Sequence, residues 1–412
     1  MRPALAALLL LLPLACHKRH TLAPGGTGSL GIVPVGGKLK LYVPLFDNTT
    51  GDGVLAVVDL GLAGQGVAGA RALLTDVVLG AEIPSTVAGS PAWVVAGSAT
   101  APLVWFVDPR TDALVRTLPL GPQAAKSAFS GGGGYVTGIA IDPDAGRAML
   151  SVWNGFAIVD LGAQAIARTI LAAPSENFGY DSAARRIIAP FYDCMNSGDR
   201  ASPPPTCNDY RTADGRAVTD GLNVIDVEQG TVFTYQNAAA ADATQAVGSI
   251  PDAAAIDPAS GLALVSSEGQ GTTTIIDLSK ARFDSGARAV TAPARSIPNM
   301  PYTGLAVVPG GRLALLEDES SAQIAVVDIT SGAVARATLP DLPDGSGWTN
   351  PGDPHGVAAA LSLDGKAIGV LVNDQERWVA RIDLEGLAAA GGTIDKGRTA
   401  AFVTYLDART RE

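Results

Sequence analysis

Histidine and cysteine are scarce in this 412-residue chain, with three of each. His17 and His20 stand beside the leader, which leaves His355 as the one histidine inside the fold. A metal hydrolase centre built on two or three histidines is thereby excluded. Serine catalysis has a single base to draw on and no serine set in a G-x-S-x-G turn. The run Gly131 to Gly134 precedes an apparent strand and lacks the Lys-Ser/Thr of a phosphate loop, so it reads as a linker between units. Positive charge is short as well: 29 Lys and Arg face 40 Asp and Glu, a net charge of −11. Such a chain repels a phosphate backbone, and nucleic acid is disfavoured as a partner.

Aromatic residues make up only 5%, but 47% of the chain is hydrophobic and 17% charged, enough to bury a large core. Glycine at 48 and proline at 27 residues suit many short strands joined by tight turns. A repeat organises them. VLAVVDLG, LVWFVDPRTD, GFAIVDLG, GLNVIDVEQG, TTIIDLSK, IAVVDITSG and WVARIDLEG carry Asp59, Asp108, Asp160, Asp226, Asp277, Asp328 and Asp383 at intervals of 49, 52, 66, 51, 51 and 55 residues. A period near fifty residues marks a repeat architecture.

The unit around Asp328 breaks into GLAVV, RLALLE, QIAVVD and AVARATL, separated by PGG, EDESSA and DITSG. These are four strands, too short and too often interrupted for helices. First-to-second-strand turns recur as VPVGGKL, IDPDAGRA, YDSAARRI, IDPASGLA, VVPGGRLA and LSLDGKAI; TVAGSPAW of the second unit departs from the pattern. An aspartate ending the third strand accepts hydrogen bonds from amides of the next turn, so the seven aspartates read as turn-makers. Seven such units predict an all-β, seven-bladed β-propeller of four-stranded antiparallel blades over 29–412, because only a closed ring covers both apolar faces of every sheet. Leu30 to Val35 is expected to open the first blade and Ala400 to Leu406 to close the last.

LSLDGK with its following apolar strand, Leu39 to Val43 and the VVDITSG ending resemble YVTN-type bacterial β-propellers. These belong to a wider group with quinoprotein amine dehydrogenase and lactonase-like propellers. The shared residues are turn and core residues, so the resemblance implies fold far more than function.

Residues 1–16, MRPALAALLLLLPLAC, have Arg2, an apolar run too short to span a bilayer, and a small residue before cysteine. They resemble a bacterial lipoprotein signal with Cys16 lipidated, although Pro13 stands where leucine is usual. Ordinary signal cleavage beside an incidental cysteine is the alternative. Residues 17–28 form a Gly-rich tether, and His17 after the cysteine favours the outer membrane. Cys194 and Cys207 are expected to close a disulfide over an insertion at about 193–220, with a metal or redox pair as the competing reading.

Long, variable connections are expected on one face of the ring, and that face carries Asp47, Asp52, Asp193, Asp199, Glu317, Asp318, Glu319, Asp374 and Glu376. The other face is expected to carry tight turns. Counting five residues back from the end of each innermost strand predicts Thr137, Glu176, Asp252 and Thr303 near the channel mouth, with His355 in phase further out. Glu176 and Asp252 are candidate calcium ligands, since calcium prefers oxygen donors; a hydrated polar wall is the plainer reading. Trp348, in the longest inter-blade loop, is a candidate to stack on a sugar or ligand, with local packing as the plainer reading. The function expected is non-catalytic recognition of an envelope protein or glycan by a lipid-anchored propeller. The alternative is a calcium-dependent lactonase-like hydrolase or a quinoprotein-like dehydrogenase.

Overall fold

The computed structural model describes residues 30–408 apart from 48–49, 66–69, 125–134, 174, 176, 193–219, 238–245, 299, 301, 303, 319–320, 346–355 and 374–377. Seven sheets are built from four successive antiparallel strands each, ordered from the axis outward. In blade 1 the strands are Gly31–Val35, Lys38–Asp47, Asp52–Asp59 and Leu73–Gly80; the others cover 84–119, 138–171, 179–235, 251–298, 304–338 and 357–407. Each blade thus comes from its own stretch of chain, and the last outer strand, Val403–Asp407, completes blade 7. The seam with blade 1 is closed by side chains. Leu41, Val43 and Leu45 share one buried cluster with Val370, Val372, Val379 and Leu406.

The repeated aspartates are turn-makers. The carboxylates of Asp59, Asp108, Asp160, Asp226, Asp328 and Asp383 accept amide hydrogen bonds from the turn that follows, at 2.7–3.0 Å. Asp277 accepts instead from Ser279 Oγ and Lys280 Nζ. In first-to-second-strand turns Asp142, Asp181 and Asp257 accept amides in the same way, and in blade 2, which lacks the usual first turn, Ser90 replaces them, its Oγ accepting the Trp93 amide at 3.1 Å. A short acceptor at that place is what the backbone requires.

The expectation of uniformly tight turns opposite the long loops needs correcting. Three connections between third and fourth strands are long: 60–72 in blade 1, 278–293 in blade 5 and 384–402 in blade 7. Each reaches back and adds a short parallel strand to the outer edge of the preceding blade. Ala70–Arg71 pairs with Leu406 and Asp407, Ala289–Thr291 with Thr234 and Tyr235, and Gly392–Ile394 with Ala335 to Ala337. Blade 4 therefore has six strands and blades 6 and 7 have five. At the seam, the Ala72 amide also donates to Asp407 O at 2.9 Å.

At the other four junctions the connection is a short turn, and a cation of the preceding blade satisfies its carbonyls. Lys40 donates to Pro109 O at 2.8 Å, Arg116 to Ala163 O at 3.4 Å, and Arg168 to Val227 O and Glu228 O at 2.9 Å. Arg295 reaches Ile329, Thr330 and Ser331 oxygens at 2.7–3.0 Å. Added strand or cation, each of the seven junctions uses one device.

The bare outer edges carry their own protection. Pairing of third to fourth strand is interrupted by a register shift in blades 1, 2 and 3, whose edges carry no added strand among the described residues. It is regular in blades 4, 6 and 7, whose edges are covered. The bare edge of blade 5, Ala294–Pro298, lies between Pro293 and Pro298. A bulge or proline deprives an incoming strand of a straight ladder, so these edges resist strand addition.

Candidate functional site

The innermost strands enclose an axial cavity of about 320 Å³. Its wall is mainly small and apolar, including Ala140, Ala254, Ala255, Ala306, Ala358 and Ala359. Tyr180 adds a hydroxyl, but it is held by Asp142 Oδ2 at 2.7 Å across the junction of blades 3 and 4. Below the mouth, the channel is a lined tube with few groups free to act on a substrate.

The predicted mouth residues fare differently. Thr137 is buried, and its hydroxyl donates to Ser175 O at 2.6 Å and lies 3.1 Å from Ser151 Oγ. It therefore ties blade 3 to the approach of blade 4. Asp252 lies on Pro251–Asp257, the innermost strand of blade 5, and is buried at 6% exposure. Asn177 bridges in parallel to Ala253 beside it. Glu176, Thr303, His355 and Trp348 lie outside the described residues, as do Cys16, the tether, Cys194 and Cys207.

Ser85 was not singled out from the sequence, although it is the counterpart of Thr137. Its hydroxyl donates to Val136 O at 2.9 Å, joining blade 2 to blade 3. Counting five residues back from Ser90 would have found it. Without a Pro-Gly or Asp-Gly turn, that count had no starting point.

Two faces of the ring differ in charge. In the connections that join second to third strands and blade to blade, the described residues include Glu82, Glu268, Asp318, Asp341 and Asp344 and no lysine or arginine, with Asp47 and Asp52 at adjoining strand ends; Lys126, Arg200, Arg211, Arg216 and Arg377 of the same connections lie outside the described residues. On the opposite face both signs are present and paired. Burial raises the Asp328 carboxyl, but the Ser331 and Thr330 amides and Arg312 outweigh it and hold it below the usual carboxylate range. Side-chain bonds from Lys280 and Ser279 lower Asp277 likewise. Among the described residues, no three His, Cys, Asp or Glu side chains gather as a metal cluster. None of the described helices is long and apolar enough to cross a membrane.

The opposite face also holds a cleft of about 690 Å³ between blades 6 and 7. Val308, Leu313 and Val326 floor it, Ala388 and Ala389 of the short helix Leu384–Ala390 wall it, and Arg312 and Glu385 stand at its rim. Arg312 is committed to Asp328 at 3.4 Å and Glu385 accepts the Ala367 amide at 3.4 Å, so neither rim charge is aimed inward alone.

Buried tyrosines give the ring a pH limit on the alkaline side. Burial, and for Tyr42 and Tyr180 also bonds to Asp112 and Asp142, raises their phenols well above the ordinary value; burial pushes Tyr235 up to about 12. A raised phenol favours the protonated, folded form. Its contribution is full below the unfolded value near 10 and is lost as pH rises toward the folded value. Phenolate absorbance at 295 nm is expected to grow mainly together with loss of the β circular dichroism signal above about pH 11. A smooth titration centred near pH 10 with the fold intact would contradict this.

Against known proteins, no family model matches the chain and no curated protein matches it. Solved structures do match. Hydrazine synthase of Kuenenia stuttgartiensis aligns with a TM-score of 0.56 over 90% of this chain and 99% of that one, at 15% identity. The shared fold is the seven-bladed β-propeller. At that identity the likeness shows the fold alone, and with 683 solved chains matching, the scaffold does not select a chemistry.

Proposed function

We propose that the chain is a non-catalytic recognition lipoprotein of the bacterial envelope that meets a basic partner surface through its long-loop face. The charge segregation supports this reading: described connections on that face carry acidic residues and no basic ones. Cations elsewhere are spent on holding blades together, as Lys40, Arg168 and Arg295 are. A predominantly acidic surface steers and selects a basic one.

The test is in-cell photocrosslinking from Glu268 or Asp318, with Asp144 on the opposite face as control. Crosslinks to one envelope protein from the first two positions alone are expected. Asp47→Lys with Asp52→Lys should reduce them in a chain that still shows the β circular dichroism signal. Equal crosslinking from Asp144, or indifference to charge reversal, would count against the reading.

The calcium-dependent alternative is addressed by heating the purified chain with and without Ca²⁺. Recognition without a cation predicts an unchanged melting temperature. A rise abolished by both Glu176→Gln and Asp252→Asn would favour the alternative instead.

A further inference from the structure

Strand directions decide which face a tether at residue 17 leaves from. In every blade the innermost strand begins at the long-loop side and ends at the first tight turn; in blade 1 this strand is Gly31–Val35, followed by the turn at Gly36 and Gly37. Leu30, directly before it, is 8% exposed and lines the axial cavity. Leu30, the first described residue, therefore lies at the long-loop end of the innermost strand, close to the axis rather than at the rim or on the opposite side.

Distance then restricts what the tether permits. Thirteen residues, 17–29, separate Cys16 from Leu30. Fully extended they span at most about 45 Å, and a Gly-rich chain of that length has a root-mean-square reach of about 20 Å. To present the opposite face to a bilayer, the same segment must first cross from axis to rim. That is three strand spacings of about 4.8 Å plus the channel radius, roughly 20 Å. It must then pass the height of a blade, roughly 20 Å for six residues of strand. Together these use nearly the whole extended length and leave no slack.

We infer that a lipid at Cys16 holds the ring with its acidic long-loop face toward the bilayer and the face bearing the cleft between blades 6 and 7 away from it. This rests on the lipoprotein reading proposed above and adds an orientation to it. A partner of the long-loop face then has to be reached within the membrane-proximal layer, whereas the opposite face meets soluble molecules.

The experiment uses the full lipidated chain on vesicles of phosphatidylcholine containing an acceptor-labelled lipid. Gln270→p-azidophenylalanine places a donor dye on the second-to-third-strand loop of blade 5, and Ala259→p-azidophenylalanine places it on the first turn of the same blade; both positions are exposed. Energy transfer from position 270 is expected to exceed that from 259 by at least about twofold, given a separation of roughly 20 Å. Inserting 26 Gly and Ser residues after Ser29 should erase the difference. Equal or reversed transfer in a chain that floats with the vesicles would overturn the orientation alone. A chain that does not float would overturn the anchor on which it rests.

Discussion

Replacing Lys40 with methionine is expected to destabilise the fold by about 3–5 kcal/mol, the cost of leaving one member of a buried ion pair behind. Lys40 is 7% exposed, and its ammonium lies 2.7 Å from Asp112 Oδ2 and 2.8 Å from Pro109 O. Asp112 also accepts the Tyr42 hydroxyl at 2.5 Å and sits at φ 54°, in the left-handed region that aspartate tolerates. Methionine keeps the apolar stem but strands a carboxylate and a turn carbonyl at the junction of blades 1 and 2. Urea unfolding of the purified chain measures the loss. Lys40→Met with Asp112→Asn should recover part of it, because the residual cost lies in the abandoned carboxylate. A Lys40→Met loss below about 1 kcal/mol, typical of solvated surface pairs, would show that this pair is not buried in solution.

Trp105→Ala is expected to cost a similar amount, about 3–5 kcal/mol, for a different reason. Trp105 is 1% exposed on Leu103–Asp108, the third strand of blade 2, and shares a buried cluster with Val33, Tyr42, Leu55 and Val57 of blade 1. With aromatics at 5% of residues, few other side chains of that size fill the spaces between sheets. Alanine leaves a cavity that rigid neighbouring strands close only in part, and Trp105→Phe should retain more than half of the stability. The same unfolding experiment checks both. Unfolding midpoints for Trp105→Ala and the parent that coincide would mean the sheets relax onto one another, against close packing of the blades.

How much of this was legible from residues alone depends on the range of the interaction. Asp328 bonds to amides two and three residues ahead, so its role followed from its own neighbourhood. Strand alternation and turn residues likewise act within a few positions, and the seven-blade reading followed from them. Arg295 is different: its partners lie 34 to 36 residues away, and nothing in ARSIP distinguishes a junction cation from a solvated one. The added strands are two or three residues long, with pairings such as Leu406 to Ala70 spanning the whole ring. No local pattern announces contacts so short and so distant.

The mouth residues show the same division. Thr137 directly precedes the strand Gly138–Asp142 and Asp252 lies on Pro251–Asp257, both buried; alternation sets their phase because it is a property of the strand itself. Whether such a hydroxyl faces the channel or the next blade depends on the rotation of neighbouring sheets, and for Thr137 that rotation brings Ser175 O within 2.6 Å.

By itself, then, the sequence determined the number of blades, the four-strand grammar and the aspartate-ended turns, because those rest on bonds and steric preferences a few residues in range. Tertiary structure alone decided how the blades are joined and which edges are covered. Those features depend on closure of the ring, which sets distant segments side by side through packing that no single segment encodes.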